Sequence, residues 1–135
     1  MEDILRKFDP FAALVGRLLL SLIFIATGIG KMAGDPAGTI AYMEAMGVPG
    51  FLFWPTALFE LLAGIAILVG FKTRIAAFLL SGFCLVTAVM AHADFSDQIQ
   101  MILFMKNISM AGGFLILMRF GAGELSLDNR AASGD

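Results

Sequence analysis

Charge is scarce in this sequence: acidic and basic side chains together make up 15% of its 135 residues, against 59% hydrophobic ones. With a mean hydropathy of +0.89, the chain is too apolar for a water-soluble domain. It has one cysteine, Cys84, and one histidine, His92. A lone cysteine excludes a dithiol relay within the chain. No haem, flavin or iron–sulfur motif is visible, so any electrons would have to come from a partner. The apolar stretches are continuous and do not alternate, which argues against a β-barrel.

What is present is length without interruption. Four runs, about 11–32, 51–70, 75–92 and 99–120, each suit a hydrocarbon core of ~30 Å at ~1.5 Å rise per residue. The expectation is one all-α unit over 1–135, an integral-membrane antiparallel four-helix bundle with a polar, solvated tail over 121–135. Arg17 lies within the first run, and no small-x-small site follows at a suitable distance, so an uncleaved first helix is expected in place of a signal peptide. In the longest loop, Asp35-Pro36 reads as a helix N-cap and Gly47 as a helix stop, predicting a short interfacial helix between them.

Basic residues are unevenly placed. Arg6, Lys7 and Arg17 precede or open the first run, Lys72 and Arg74 fill the tight second connection, and Arg119 and Arg130 follow or close the fourth. The positive-inside rule then puts both termini and the second loop in the cytoplasm, with the Asp35/Glu44 and Asp94/Asp97 loops outside. Arg17 is near enough to an interface to act as a solvated anchor, and Lys31 can reach the outer headgroups.

Two charges lie deeper. Glu60 is inside the second run and Lys106 inside the fourth, ~14 Å and ~10 Å from the outer ends of their spans by helical rise. A carboxylate or amine at such depth costs roughly 2.5–3.5 kcal/mol by insertion scales and needs a partner or a task. The spacing predicts a Glu60–Lys106 pair, with Asn107 completing the hydrogen bonding. It would be either a latch between helices or a polar site for a ligand head group or a proton step. Helical periodicity puts Arg17, Ser21, Phe24, Gly28 and Lys31 on one stripe, Ala57, Glu60, Ala63 and Gly64 on a second, and Ser81, Cys84, Ala88 and Ala91–His92 on a third. A fourth stripe carries Lys106, Met110 and Gly113. His92, beside Asp94 at the outer end of the third run, is a proton exchanger or metal ligand in one reading and an interfacial side chain in the more ordinary one. Copper ligation by His92 with Met43, Met46, Met90, Met101 and Met105 lacks a tight spacing motif, and methionine is a common packing residue. No metal site is assigned.

The ordered set of motifs resembles the DoxX family of small four-helix bacterial membrane proteins along nearly the whole chain. It comprises Gly16-Arg17, Thr27-Gly28-Ile29-Gly30-Lys31, Gly47-Val48-Pro49, Glu60-Leu61-Leu62-Ala63-Gly64 and Gly70-Phe71-Lys72-Thr73-Arg74. Ala91-His92, Lys106-Asn107 with Ala111-Gly112-Gly113, and Gly121-Ala122-Gly123-Glu124-Leu125-Ser126-Leu127-Asp128 complete it. The resemblance implies a multi-pass protein of the bacterial inner membrane. It also implies a link to quinone-dependent sulfur-compound oxidation or to membrane complexes handling thiol or oxidative stress. The polar positions it implies are Lys31, Glu60, His92, Lys106 and Asn107, read as ligand-binding residues, with catalytic residues unassigned.

The leading expectation is therefore an accessory subunit of a membrane redox system. A quinone-type ligand would sit near Glu60 and Lys106, and a soluble oxidoreductase would be the partner. The alternatives are a small-solute or proton-coupled carrier, which would need homo-oligomers, and a non-catalytic scaffold. Whether the chain is an enzyme stays open, and no nucleic-acid partner is expected.

Overall fold

The computed structural model describes residues 1–134. Short α1 (Glu2–Lys7) leads into α2 (Asp9–Ala33), followed by α3 (Pro36–Ala45), a single 3-10 turn (Gly50–Leu52), α4 (Phe53–Val69), α5 (Thr73–Ala91), α6 (Gln98–Phe120) and α7 (Leu127–Ser133). Four of these stretches, Asp9–Ala33, Gly50–Val69, Thr73–Ala91 and Gln98–Phe120, are long and apolar enough to cross a bilayer. The spans match the expected runs to within about two residues at most ends.

Local chemistry sets the boundaries. Pro10 and Pro36 stand in the first turns of α2 and α3, where a missing N–H costs no helical bond. The Asp35 carboxylate accepts from Gly38 N at 3.0 Å and caps α3. The Asp97 carboxylate caps α6 by accepting from Ile99 N at 2.9 Å. Gly70 ends α4 in the left-handed region at φ 71°, and Phe71 N closes back onto Ala66 O at 2.9 Å. The α4–α5 connection is thus a tight hairpin. Lys72 takes a left-handed φ of 48° there, which costs energy for a residue with a Cβ and needs outside support.

Pairwise contacts give the direction of each helix. Along α2, Arg17 meets Ile67, Phe24 meets Gly64 and Gly28 meets Leu61, so α2 and α4 run antiparallel. Along α5, Arg74 meets Arg119, Ser81 meets Ala111 and His92 meets Gln100, so α5 and α6 do the same. These two close pairs are joined through an interior of Phe24, Ile67, Ala77, Leu80, Cys84, Ala111 and Phe114. Phe24 sets its ring edge-on to Phe114 at 5.5 Å and to Phe83 at 6.4 Å. At Gly28 an added Cβ would lie 2.9 Å from Leu61 N and 3.1 Å from Ala57 O, so a glycine is what lets α2 approach the α4 backbone.

Three of the expected stripes face inward as read: Arg17, Ser21, Phe24 and Gly28 on α2, Ala57, Glu60, Ala63 and Gly64 on α4, and Ser81, Cys84 and Ala88 on α5 are all buried. The fourth does so only in part. On α6, Met110 packs against the core and Gly113 faces Leu20, but the fully buried residues are their neighbours Ala111 and Phe114, and Lys106 points outward. This placement follows from packing: Phe114 fills the space against Phe24, and Ser81 Oγ donates to Ala111 O at 3.1 Å, which fixes the rotation of the helix.

Most of the tail is exposed, as expected, but it is also docked at two points. Ala122 and Ser126 are buried, and the Ser126 hydroxyl, accepting from Asn129 N at 3.2 Å, starts the short α7. The tail folds back over the end of the bundle where α2 begins and where α4 turns into α5.

Candidate functional site

Two charged sites lie within the bundle. The first is built on facing turns of α2 and α4. Thr27 and Lys31 are one helical turn apart, so both side chains stand on the face that packs against α4. Glu60, midway along its span and 3% exposed, faces them. Lys31 Nζ donates to Glu60 Oε1 in a salt bridge, and Thr27 Oγ1 donates to Glu60 Oε2 at 2.7 Å. Both carboxylate oxygens are therefore satisfied, as a buried ion requires. The partner of Glu60 is thus Lys31 and not Lys106. A helical side chain leans toward the N-terminus of its helix, so a lysine near the C-terminal end of α2 reaches down into the bundle, not up to the headgroups.

The pair is unequal. The Glu60 side chain is 4% exposed and that of Lys31 30%. The amine remains accessible from one side while its counter-ion is enclosed. Phe24, one turn before Thr27, belongs to an aromatic group in which the Phe83 ring stands 6.4 Å from Phe24 and 5.4 Å from Phe59.

The other expected site residues do not join this cluster. Lys106 is exposed on the outer face of α6 and makes no hydrogen bond or ion pair with any described residue. Asn107 is half-buried, and its amide donates to Leu103 O of its own helix at 3.1 Å, leaving nothing directed at Glu60. His92 closes α5, where Nδ1 meets Gln100 Oε1 at 2.9 Å and ties the α5–α6 connection together. Among the described residues no three His, Cys, Asp or Glu side chains gather as metal ligands would. Thr27 was the residue missed. Its position four before Lys31, on the face already carrying Gly28, was the available signal.

The second site is at the tail end of the bundle. Arg17, only 1% exposed, is not a solvated anchor. Its guanidinium donates to Leu68 O at 3.0 Å and Ile67 O at 3.3 Å, the carbonyls that end α4, and to Leu125 O of the tail. The negative end of the α4 dipole and these carbonyls together replace a carboxylate. The Asp128 backbone N–H donates to Gly70 O at 2.8 Å, and its carboxylate accepts from Lys72 N at 2.7 Å and Thr73 N at 2.9 Å. This supports the left-handed Lys72 and caps α5. Burial alone would raise the Asp128 pKa, but the bonds from Thr73 and Lys72 outweigh it and hold the carboxyl below its usual value. An open groove of about 610 Å³ beside Lys72, Arg74 and Phe120 lies at this end, away from Glu60.

The DoxX family model matches residues 12–93, which contain Thr27, Lys31, Glu60 and His92. Inner membrane protein YqjF of Escherichia coli is 44% identical over 124 residues, covering 92% of this chain and 95% of that protein. This chain belongs to the DoxX family. Inner membrane protein YphA of the same organism is 39% identical over 93% of this chain and 98% of its own length. A Bacillus subtilis protein named "Putative oxidoreductase CatD" is 31% identical over 53% of this chain and 52% of that protein. No solved structure matches. Its E. coli relatives are named inner membrane proteins, and this DoxX-family chain is likewise an inner-membrane protein, with four helices long and apolar enough to cross the bilayer.

Proposed function

We propose that this DoxX-family protein is an accessory subunit of a membrane redox system whose Thr27–Lys31–Glu60 cluster receives the polar head of a quinone-type ligand. One observation carries the reading: a buried carboxylate is paired with an amine that is still partly open, in a bundle with an apolar, aromatic-rich core. Apolar walls with a few convergent polar groups suit a small ligand of that kind. The name of the B. subtilis relative adds distant support for redox chemistry.

The donor set fits such a ligand. Lys31 would donate to a carbonyl oxygen, Thr27 would hold Glu60 in place, and Glu60 would take up or release a proton as Lys31 turns from it to the ligand. A quinone, when bound, supplies two-electron carriage, and the electrons would come from an oxidoreductase partner. The excess of Lys and Arg at the tail end puts that end on the cytoplasmic side in this reading, with the cluster nearer the opposite leaflet.

Titration of the purified protein with a short-chain ubiquinone tests this. Saturable binding that weakens at least tenfold in Lys31→Met and is unchanged in Lys106→Met is the expected result. No binding to the wild-type chain, or equal binding to Lys31→Met, would remove the ligand and leave a structural latch. That second reading has its own support in the close α2–α4 approach at Gly28, one residue from Thr27.

A further inference from the structure

Among the charged groups well inside the spans, Arg17, Lys31 and Glu60 each have partners within the chain. Lys106 has none among the described residues, although it lies eight residues into α6, ~12 Å from the start of the helix. Small residues also stand on the outward side of α6 near it. On α4 and α5 the small residues Ala57, Gly64, Ala77 and Ala88 face inward. On α6, Ser109 and Gly112 turn outward beside Lys106, and a Cβ added at Gly112 would meet nothing within 4 Å. Ile102, Met105 and Ile116 flank them at 50%, 57% and 63% exposure. This span is also the least enclosed of the four, with 11% of its apolar window buried against 22–33% for the others.

Small outward residues let another helix approach closely, and an amine at bilayer depth without a counter-charge calls for an acid. We propose that the outward face of α6 docks a transmembrane helix of another protein, one carrying a carboxylate level with Lys106. A second copy of this chain does not supply that acid. The one carboxylate deep in its spans, Glu60, is enclosed and already paired with Lys31, and a symmetric α6–α6 contact would bring two Lys106 amines together. The proposal is independent of what the Lys31–Glu60 cluster binds.

The test uses the full chain, carrying a donor fluorophore on its tail, in phosphatidylcholine vesicles. The probes are acceptor-labelled Leu/Ala transmembrane peptides with a single Asp, Leu or Lys ~12 Å from one end. Energy transfer should show the Asp peptide binding at least tenfold more tightly than the Leu peptide. The preference should vanish in Lys106→Met and turn to the Lys peptide in Lys106→Glu. Because Lys106 makes no hydrogen bond or ion pair with any described residue, Lys106→Met should keep the wild-type melting temperature, which separates lost docking from lost folding. Equal binding of all three peptides would overturn the proposal. So would a preference abolished by adding phosphatidylglycerol, which assigns Lys106 to anionic headgroups. Transfer between differently labelled copies of the chain that is lost in Gly112→Leu would also overturn it, by assigning the face to self-association.

Discussion

The two buried charge sites solve the same problem in opposite ways. Arg17 is enclosed on all sides and held by three main-chain carbonyls from two segments. Glu60 is held by two side chains, one of which is still open on one side. Carbonyls at a helix end cannot move without unwinding the helix, so the Arg17 site is a fixed clasp joining α2, α4 and the tail. Side chains on neighbouring turns can change rotamer at modest cost, so the Glu60 site can exchange partners. A buried charge in this protein is therefore a fastener where backbone holds it and a candidate for chemistry where side chains do.

Breaking the clasp should have the largest effect. Arg17→Ala leaves Leu68 O and Leu125 O without their donor and Ile67 O with Gly70 N alone, and a loss of about 3–5 kcal/mol is expected. The tail should become open to protease, and the melting temperature in detergent should fall. Arg17→Lys should recover only part of this, since a single ammonium cannot span three carbonyls. Next is Glu60→Ala, which strands the Lys31 amine. It should cost about 3 kcal/mol, whereas Glu60→Leu combined with Lys31→Met should be close to the wild type in thermal stability. A double variant as unstable as the single would make the Glu60 site a fastener too, and erase the contrast.

Smaller effects sharpen the comparison. Gly28→Ala drives a Cβ toward the Leu61 backbone and should cost about 1–3 kcal/mol, because backbone cannot step aside as a side chain can. The last prediction concerns pH. The Asp128 carboxyl has a folded-state pKa below its unfolded value, so its contribution to tail docking is complete above about pH 4 and is lost as pH falls through the lower folded value. Tail proteolysis by an acid-active protease should therefore rise only below about pH 4, and Asp128→Asn should be insensitive to pH there.

Much of this was legible in the sequence. Four spans follow from run length, and the inward faces of α2, α4 and α5 follow from small and polar residues repeating at helical spacing. Two matters were not. The partner of Glu60 depends on which helices are neighbours, and sequence depth alone made Lys106 as good a match as Lys31. Only the close α2–α4 pairing, set by Gly28 and Gly64, decides it. The face of α6 was read only in part because small residues stand on both of its sides, Ala111 and Gly113 inward and Ser109 and Gly112 outward, so their spacing does not single out one face. The tail looked solvated because its composition is polar, yet its main chain, through Leu125 O and the Asp128 N–H, is what docks.

The central claim is that Glu60 is coupled to Lys31 across the α2–α4 contact. A double-mutant cycle on folding stability in detergent, using Lys31→Met and Glu60→Gln, measures that coupling directly. The expected interaction is at least about 1 kcal/mol, with none between Lys106→Met and Glu60→Gln. Additive effects for the Lys31 pair, or coupling that appears with Lys106 instead, would contradict it.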